Sequence, residues 1–366
     1  MPDRRSAIRM DRRARPPLDG RVQTLRGLAC LLLVAFHAVG SSAASGLHVP
    51  DASRYREFTN LFVHVRMPLF TFLSGLVYAY RPVRPGEALG FLATKLRRLG
   101  VPLVVASTIL YVLHLTVHDA VPPVSEIWRI YLYPFWHLWF VQALLAVFAA
   151  LVMLESAAAL STFPRFILVM TLSLGLYWSG SLWSSDLLGL RNATYLMPFF
   201  LFGLGVHRFR DRLQSAPALI AALGCFALAQ GFHAYVVLTR TLAPIDPIAT
   251  RSAWTLVIGM SAALCGLRLV PRVPVLERIG ASSYVIYLYH PLFAAAVISV
   301  IGALLALPTS LLFVGAGIAG IAGPMAMELA AARGPLGELL LEGRWRRPAS
   351  AGTEGKEQGE DARKVA

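Results

Sequence analysis

Charge is what this sequence has least of. Asp, Glu, Lys and Arg make up only 15% of its 366 residues and hydrophobic residues 56%, whereas a soluble domain carries about a quarter charged residues. Cysteine is scarce as well. The three, Cys30, Cys225 and Cys265, all lie inside apolar runs, which excludes a disulfide framework and a thiolate metal site. There is no HExxH pair, no Gly-rich phosphate loop, no heptad pattern and no obvious internal repeat, so metalloprotease, P-loop and coiled-coil readings fall away. The short alternating segments of a membrane β-barrel are missing too.

Long apolar runs are what the sequence does have. Ten can be read, at about 25–44, 58–80, 99–118, 134–154, 164–183, 192–207, 215–238, 251–270, 281–303 and 310–332. A bilayer core takes about 20 apolar residues to cross, and a chain in lipid must satisfy its backbone internally. The expected fold class is therefore all-α: a polytopic integral membrane protein with about ten transmembrane helices. The membrane domain is read as 25–332, after a basic tail at 1–24 and before a tail at 333–366. The second tail is polar and Gly/Glu/Lys-rich from Ala349, a composition that predicts disorder. Leu336–Leu341 reads as a short interfacial helix. Ser42-Ala43-Ala44 resembles a signal cleavage site, but the leader is long and Arg26 interrupts the apolar start, so the first run is read as a retained span.

The balance of +14 would suit a nucleic-acid partner, but its distribution points elsewhere. With the N-terminus inside, 26 of the 34 Lys and Arg fall in cytoplasmic segments and 6 in outer ones. That asymmetry is the positive-inside pattern and predicts both termini in the cytosol. Membrane lipid is thus an expected partner, and nucleic acid is not.

Two basic residues sit inside the first span. Arg26 and His37 are eleven residues apart, three helical turns plus roughly 20°, so they share a face and lie about 16 Å apart along the axis. The expectation is Arg26 near one end and His37 near mid-membrane. An ionisable group there is costly and marks a candidate site. The alternative is that Arg26 snorkels and His37 ties two helices together.

Other stretches have the same two faces. In span two, His64-Val65-Arg66-Met67-Pro68 places Arg66 within the apolar run, and Ser74-Gly75 suits close helix packing. Lys95, Arg97 and Arg98, at the end of a loop read as 81–98, fit either membrane anchoring or a phosphate clamp. Trp136, His137 and Trp139 fit an interfacial aromatic belt or a sugar-stacking platform. Span nine carries Tyr284, Tyr287, Tyr289 and His290-Pro291, a polar set more suited to a cavity than to lipid.

Taken in order, LRGLA…H, MPLFTFLSG, KLRRLGVP, HLWFVQALL, YLMPFFLFGLGV and SYVIYLYHP resemble the integral-membrane acyltransferases of the acyltransferase-3 type. The resemblance covers about residues 21–330, and its most specific element is the Arg-x10-His spacing of Arg26 and His37. MPLFTFLSG is closest to the sugar O-acetylase branch, although Arg66 stands where that branch would have histidine.

The resemblance implies transfer of an acyl group, usually acetyl, from cytosolic acyl-CoA to a hydroxyl of an extracytoplasmic glycan or lipid-linked sugar. It places such a protein in a bacterial cytoplasmic (inner) membrane. Acyl-CoA is then a co-substrate, and no further cofactor or metal is called for. On this reading His37 is the catalytic residue, and Arg26, Lys95, Arg97 and Arg98 bind the donor. His137, Trp139, Arg66, Ser74, Tyr287 and His290 serve the acceptor or support the site. A multi-pass secondary transporter is the alternative, and a non-catalytic scaffold a third. Oligomeric state is not legible.

Overall fold

The computed structural model describes residues 19–84, 86–117, 121–239 and 249–344. Among them every regular element is helical. Nine helical segments are long and apolar enough to cross a membrane: Gly20–Val39, Arg54–Tyr80, Ala88–Leu115, Val124–Ser156, Phe163–Leu182, Leu187–Arg208, Ala216–Thr239, Ser283–Leu305 and Thr309–Ala331. Ala253–Leu269 is apolar but shorter, at 17 residues, and falls on the eighth expected span. The chain is an all-α polytopic membrane protein. The stretch before Asp19, most of the expected basic tail, and the polar stretch from residue 345 lie outside the described residues.

The chain divides into two compact units that interleave in sequence. The first takes residues 1–32, 60–81 and 199–283. It contains the start of α1 (Gly20–Val39), the whole helix after the Phe62 break, α3 (Val63–Tyr80), and the later helices Ala216–Thr239 and Ala253–Leu269. The segment before α3, α2 (Arg54–Leu61), ends at Phe62, whose φ of −109° and ψ of 12° break the helix. A break frees backbone carbonyls, and buried carbonyls need donors. Gln230 Nε2 donates to the Leu61 carbonyl at 2.8 Å, and His233 Nε2 donates to that of Asn60 at 3.1 Å. Later in α3, a Cβ on Gly75 would land on the Phe200 carbonyl oxygen, and one on Gly203 would land on that of Phe72. These two glycines let the helices touch backbone to backbone, as small residues do in membranes. The Ser74 hydroxyl donates to the Phe70 carbonyl at 2.9 Å, within its own helix.

The second unit takes residues 33–59, 82–198 and 284–366. Here α1 ends at Val39, five residues before the expected boundary. Gly40 is the reason, at φ +87°, a left-handed conformation that stops a helix. The loop beyond turns back on the helix end. Leu47 N–H donates to the Ala38 carbonyl at 3.0 Å, and the buried Arg56 donates to the Gly40 carbonyl at 2.7 Å and the Val49 carbonyl at 3.2 Å. An exposed Asp51 pairs with it at 3.3 Å. His37 therefore stands in the last turn of α1, not near its middle.

The third span also differs from expectation. Residues 88–98 are not loop: α4 (Ala88–Lys95) runs through a π-helical turn at Leu96–Gly100 into α5 (Val101–Val117). Pro102 has no N–H to offer the Arg98 carbonyl four residues back, so the helix widens there. The expected short helix near Leu336 is present as Pro335–Glu342.

Candidate active site

Three histidines far apart in the chain meet in the second unit. His37 comes from the last turn of α1, His137 from the 3-10 turn Trp136–Leu138, and His290 from α12 (taken as Ser283–Ala296, after α6 Trp139–Ser156, α7 Phe163–Ser179, α8 Leu190–Arg208, α9 Ala216–Thr239, α10 Ala253–Leu269 and α11 Pro274–Ala281). Their ring centroids lie 5.6 Å (His37–His137), 4.9 Å (His37–His290) and 5.3 Å (His137–His290) apart. The interplanar angles of 61–74° set the rings edge to face. His290 is fully buried, His137 nearly so, and His37 is the partly exposed member.

Backbone carbonyls fix two of the rings. His137 Nε2 faces the Leu288 carbonyl at 3.1 Å. His290 Nδ1 faces the carbonyls of Ile286 at 2.8 Å and Tyr287 at 3.0 Å. A carbonyl can only accept, so each of these nitrogens carries the hydrogen. The Tyr287 hydroxyl donates in turn to the His137 carbonyl. The Tyr287 ring lies 5.7 Å from that of His137 and 5.4 Å from that of Phe140, and Phe36 packs edge-on to His37 at 5.1 Å. The outcome is a largely buried polar knot within apolar walls.

The remaining residues singled out from sequence do not join this knot. Trp139 is half-buried, 6.1 Å from the Phe140 ring and 6.3 Å from that of Tyr195. Lys95 holds its ammonium 3.9 Å above the Phe148 ring and 5.2 Å above that of Phe91. Arg97 is exposed and Arg98 half-buried, both on the π-helical turn. Arg26, Arg66 and Ser74 belong to the first unit. Arg26 is half-buried on α1, one turn before Cys30. Arg66 is buried in α3. Two residues before it, His64 shares a 2.7 Å hydrogen bond with Thr255, and its ring lies 4.6 Å from that of His233. Among the described residues no three His, Cys, Asp or Glu side chains are set to hold a metal ion.

Sequence reasoning missed two supports. Arg56 was not singled out, yet it ties down the loop after His37. Gly343, at φ +60°, sits against the π-helical turn, where a Cβ would overlap the Arg97 carbonyl and the Arg98 Cα. A glycine directly after a short helix was the available signal for the second; the first had none.

A family model described as an acyltransferase domain, of the acyltransferase-3 type, matches residues 19–329. The chain belongs to the acyltransferase-3 family. It is thus a multi-pass membrane acyltransferase, and the matched span takes in every candidate site residue predicted from sequence, with Gly343 lying beyond it. Neither a curated protein nor a solved structure matches the chain.

Proposed function

We propose that this acyltransferase moves an acyl group, acetyl by preference, from cytosolic acyl-CoA to a hydroxyl of an extracytoplasmic carbohydrate or lipid-linked glycan. The observation that carries the reading is the meeting of His37, His137 and His290 in a family whose chemistry is acyl transfer. His37, the exposed member, is the general base. A neutral imidazole takes the hydroxyl proton as the oxygen attacks the thioester carbonyl. Arg26 and the Lys95, Arg97, Arg98 group hold the phosphates of CoA, and the pantetheine arm reaches along the Arg26–His37 face of α1. His137, Trp139, Arg66, Ser74 and Tyr287 serve the acceptor side or support the helices that carry it.

Purified protein supplied with radiolabelled acetyl-CoA and cell-envelope glycan is expected to release CoA and label the glycan. Mass spectrometry of envelope glycan from cells with and without the gene should show the matching acyl increment. A transporter would give neither. A succinyl rather than an acetyl mass increment on the cellular glycan would keep the class and change the donor.

The sidedness is part of the same proposal, with the bacterial cytoplasmic membrane as the location. It rests on the 26-to-6 division of Lys and Arg. Reporter fusions after Asp186 should be active outside the cytoplasm and fusions after Arg344 within it. Both reporters in one compartment would refute the ten-span arrangement.

A further inference from the structure

We propose that His290 is the positioning residue for His37, with its ring set in one tautomer by Pro291. The inference rests on the acyl-transfer reading above. In an α-helix the Tyr287 carbonyl would take the N–H of residue 291, but proline has none. That buried carbonyl needs a donor, and His290 Nδ1 supplies it at 3.0 Å while also reaching the Ile286 carbonyl at 2.8 Å. A neutral imidazole with its hydrogen on Nδ1 carries its lone pair on Nε2. His290 is fully buried, and its Nε2 has no hydrogen-bond partner among the described residues. A buried acceptor left in that state invites a functional explanation.

The neighbours narrow what can donate to it. His137, 5.3 Å away, already gives its Nε2 hydrogen to the Leu288 carbonyl. The Tyr287 hydroxyl already donates to the His137 carbonyl. His37 is the closest ring, at 4.9 Å. Once His37 has taken a proton it carries N–H on both nitrogens, and one of them has His290 Nε2 to turn to. Catalytic hydrogen bonds commonly tighten only in the reacting complex.

The step balances as follows in atoms. The acceptor oxygen bonds to the thioester carbonyl carbon, and its proton goes to one nitrogen of His37. The other N–H of the resulting imidazolium is held by His290 Nε2. The carbon–sulfur bond breaks with its electron pair on sulfur, the proton passes from His37 to that sulfur, and CoA leaves as the thiol. His290 stays neutral throughout, and its role is to fix which nitrogen of His37 faces the hydroxyl.

Two variants test this. His290→Asn retains an N–H near the helix carbonyls but has no ring nitrogen at the Nε2 position. It should lower kcat by about ten- to a hundred-fold, by analogy with the loss of a partner that orients a metal-ligating histidine, with KM for acetyl-CoA unchanged. Pro291→Ala returns an N–H to the Tyr287 carbonyl and should release the tautomer. Nitrogen-15 spectra of histidine-labelled protein in lipid nanodiscs should show His290 protonated at Nδ1 alone in the wild type and at both positions in Pro291→Ala, together with a lower kcat. Wild-type kcat in His290→Asn, or an Nε2–H signal for His290 in the wild type, overturns the inference. If His290→Asn fails to insert, an unchanged kcat in Pro291→Ala with a mixed tautomer overturns it instead. Wild-type protein that turns over no acyl-CoA overturns the acyl-transfer reading itself, a result distinct from an active enzyme indifferent to His290.

Discussion

Purified His37→Ala protein is expected to lose about 10²- to 10⁴-fold in acyl transfer, the range that a positioned acid–base group supplies. The protein should still insert and keep its thermal midpoint in detergent. His37 lies in the last turn of α1 and is the partly exposed ring of the three, so its removal opens no large hole in a packed interior. The loss should fall on kcat at saturating donor, because a proton acceptor works in the transition state and not in binding CoA. His137 and His290 are buried more deeply than His37, so neither offers an incoming hydroxyl the same access. Steady-state release of CoA by purified wild-type and variant protein measures the effect. Near-wild-type turnover in His37→Ala would sink the catalytic assignment.

Arg98→Lys and Arg26→Lys should each weaken the donor while sparing the acceptor. CoA is a cytosolic polyanion, whereas a sugar hydroxyl is neutral, so on the proposed topology, which puts Arg26 and Arg98 each at a cytosolic helix end, the donor is the favoured ligand. Arginine grips phosphate with two parallel hydrogen bonds and lysine offers a point charge. Losing a charge-assisted contact costs on the order of 1.5–3 kcal/mol, or roughly ten- to a hundred-fold in affinity. If the contact is equally strong in ground and transition states, KM for acetyl-CoA rises and kcat holds. Of the two positions, Arg98 has the more exacting setting. It sits on the π-helical turn, and Gly343 packs against its Cα and the Arg97 carbonyl. Kinetics with donor and acceptor varied separately decide the matter. An unchanged donor KM with a raised acceptor KM would mean that the two ends of the site have been assigned the wrong way round.

The apolar runs made the helices legible. Nine of the ten expected spans coincide with helices long and apolar enough to cross a membrane, and the tenth with a shorter one. Boundaries were less legible where single residues set them. Gly40 ended α1 early because a left-handed φ outweighs the apolar run that continues past it. Pro102 did the opposite, deforming a helix without ending it, so that the cations at 95–98 stand inside a helical segment and not in a loop. The composition around each was compatible with either outcome.

The candidate residues were legible singly. An ionisable group in an apolar run is costly, and that argument singled out His37 and His290, while His137 came with the tryptophans beside it; none of this said that the three meet. The class of chemistry followed from the order of six short stretches, and the family match agrees with it. Hydrophobicity and helical period are local properties, carried by the twenty or so residues of each run, and so the sequence alone determined an all-helical membrane protein and its candidate ionisable groups. The edge-to-face histidine knot and the tie of Arg56 to the loop beyond Gly40 were decided by tertiary structure. So was the approach of Gly343 to the π-helical turn. The knot and the Gly343 approach depend on contacts between segments distant in the chain, and the Arg56 tie on a loop folding back on its own helix end, where shape and hydrogen-bond need select the partner and no local pattern records it.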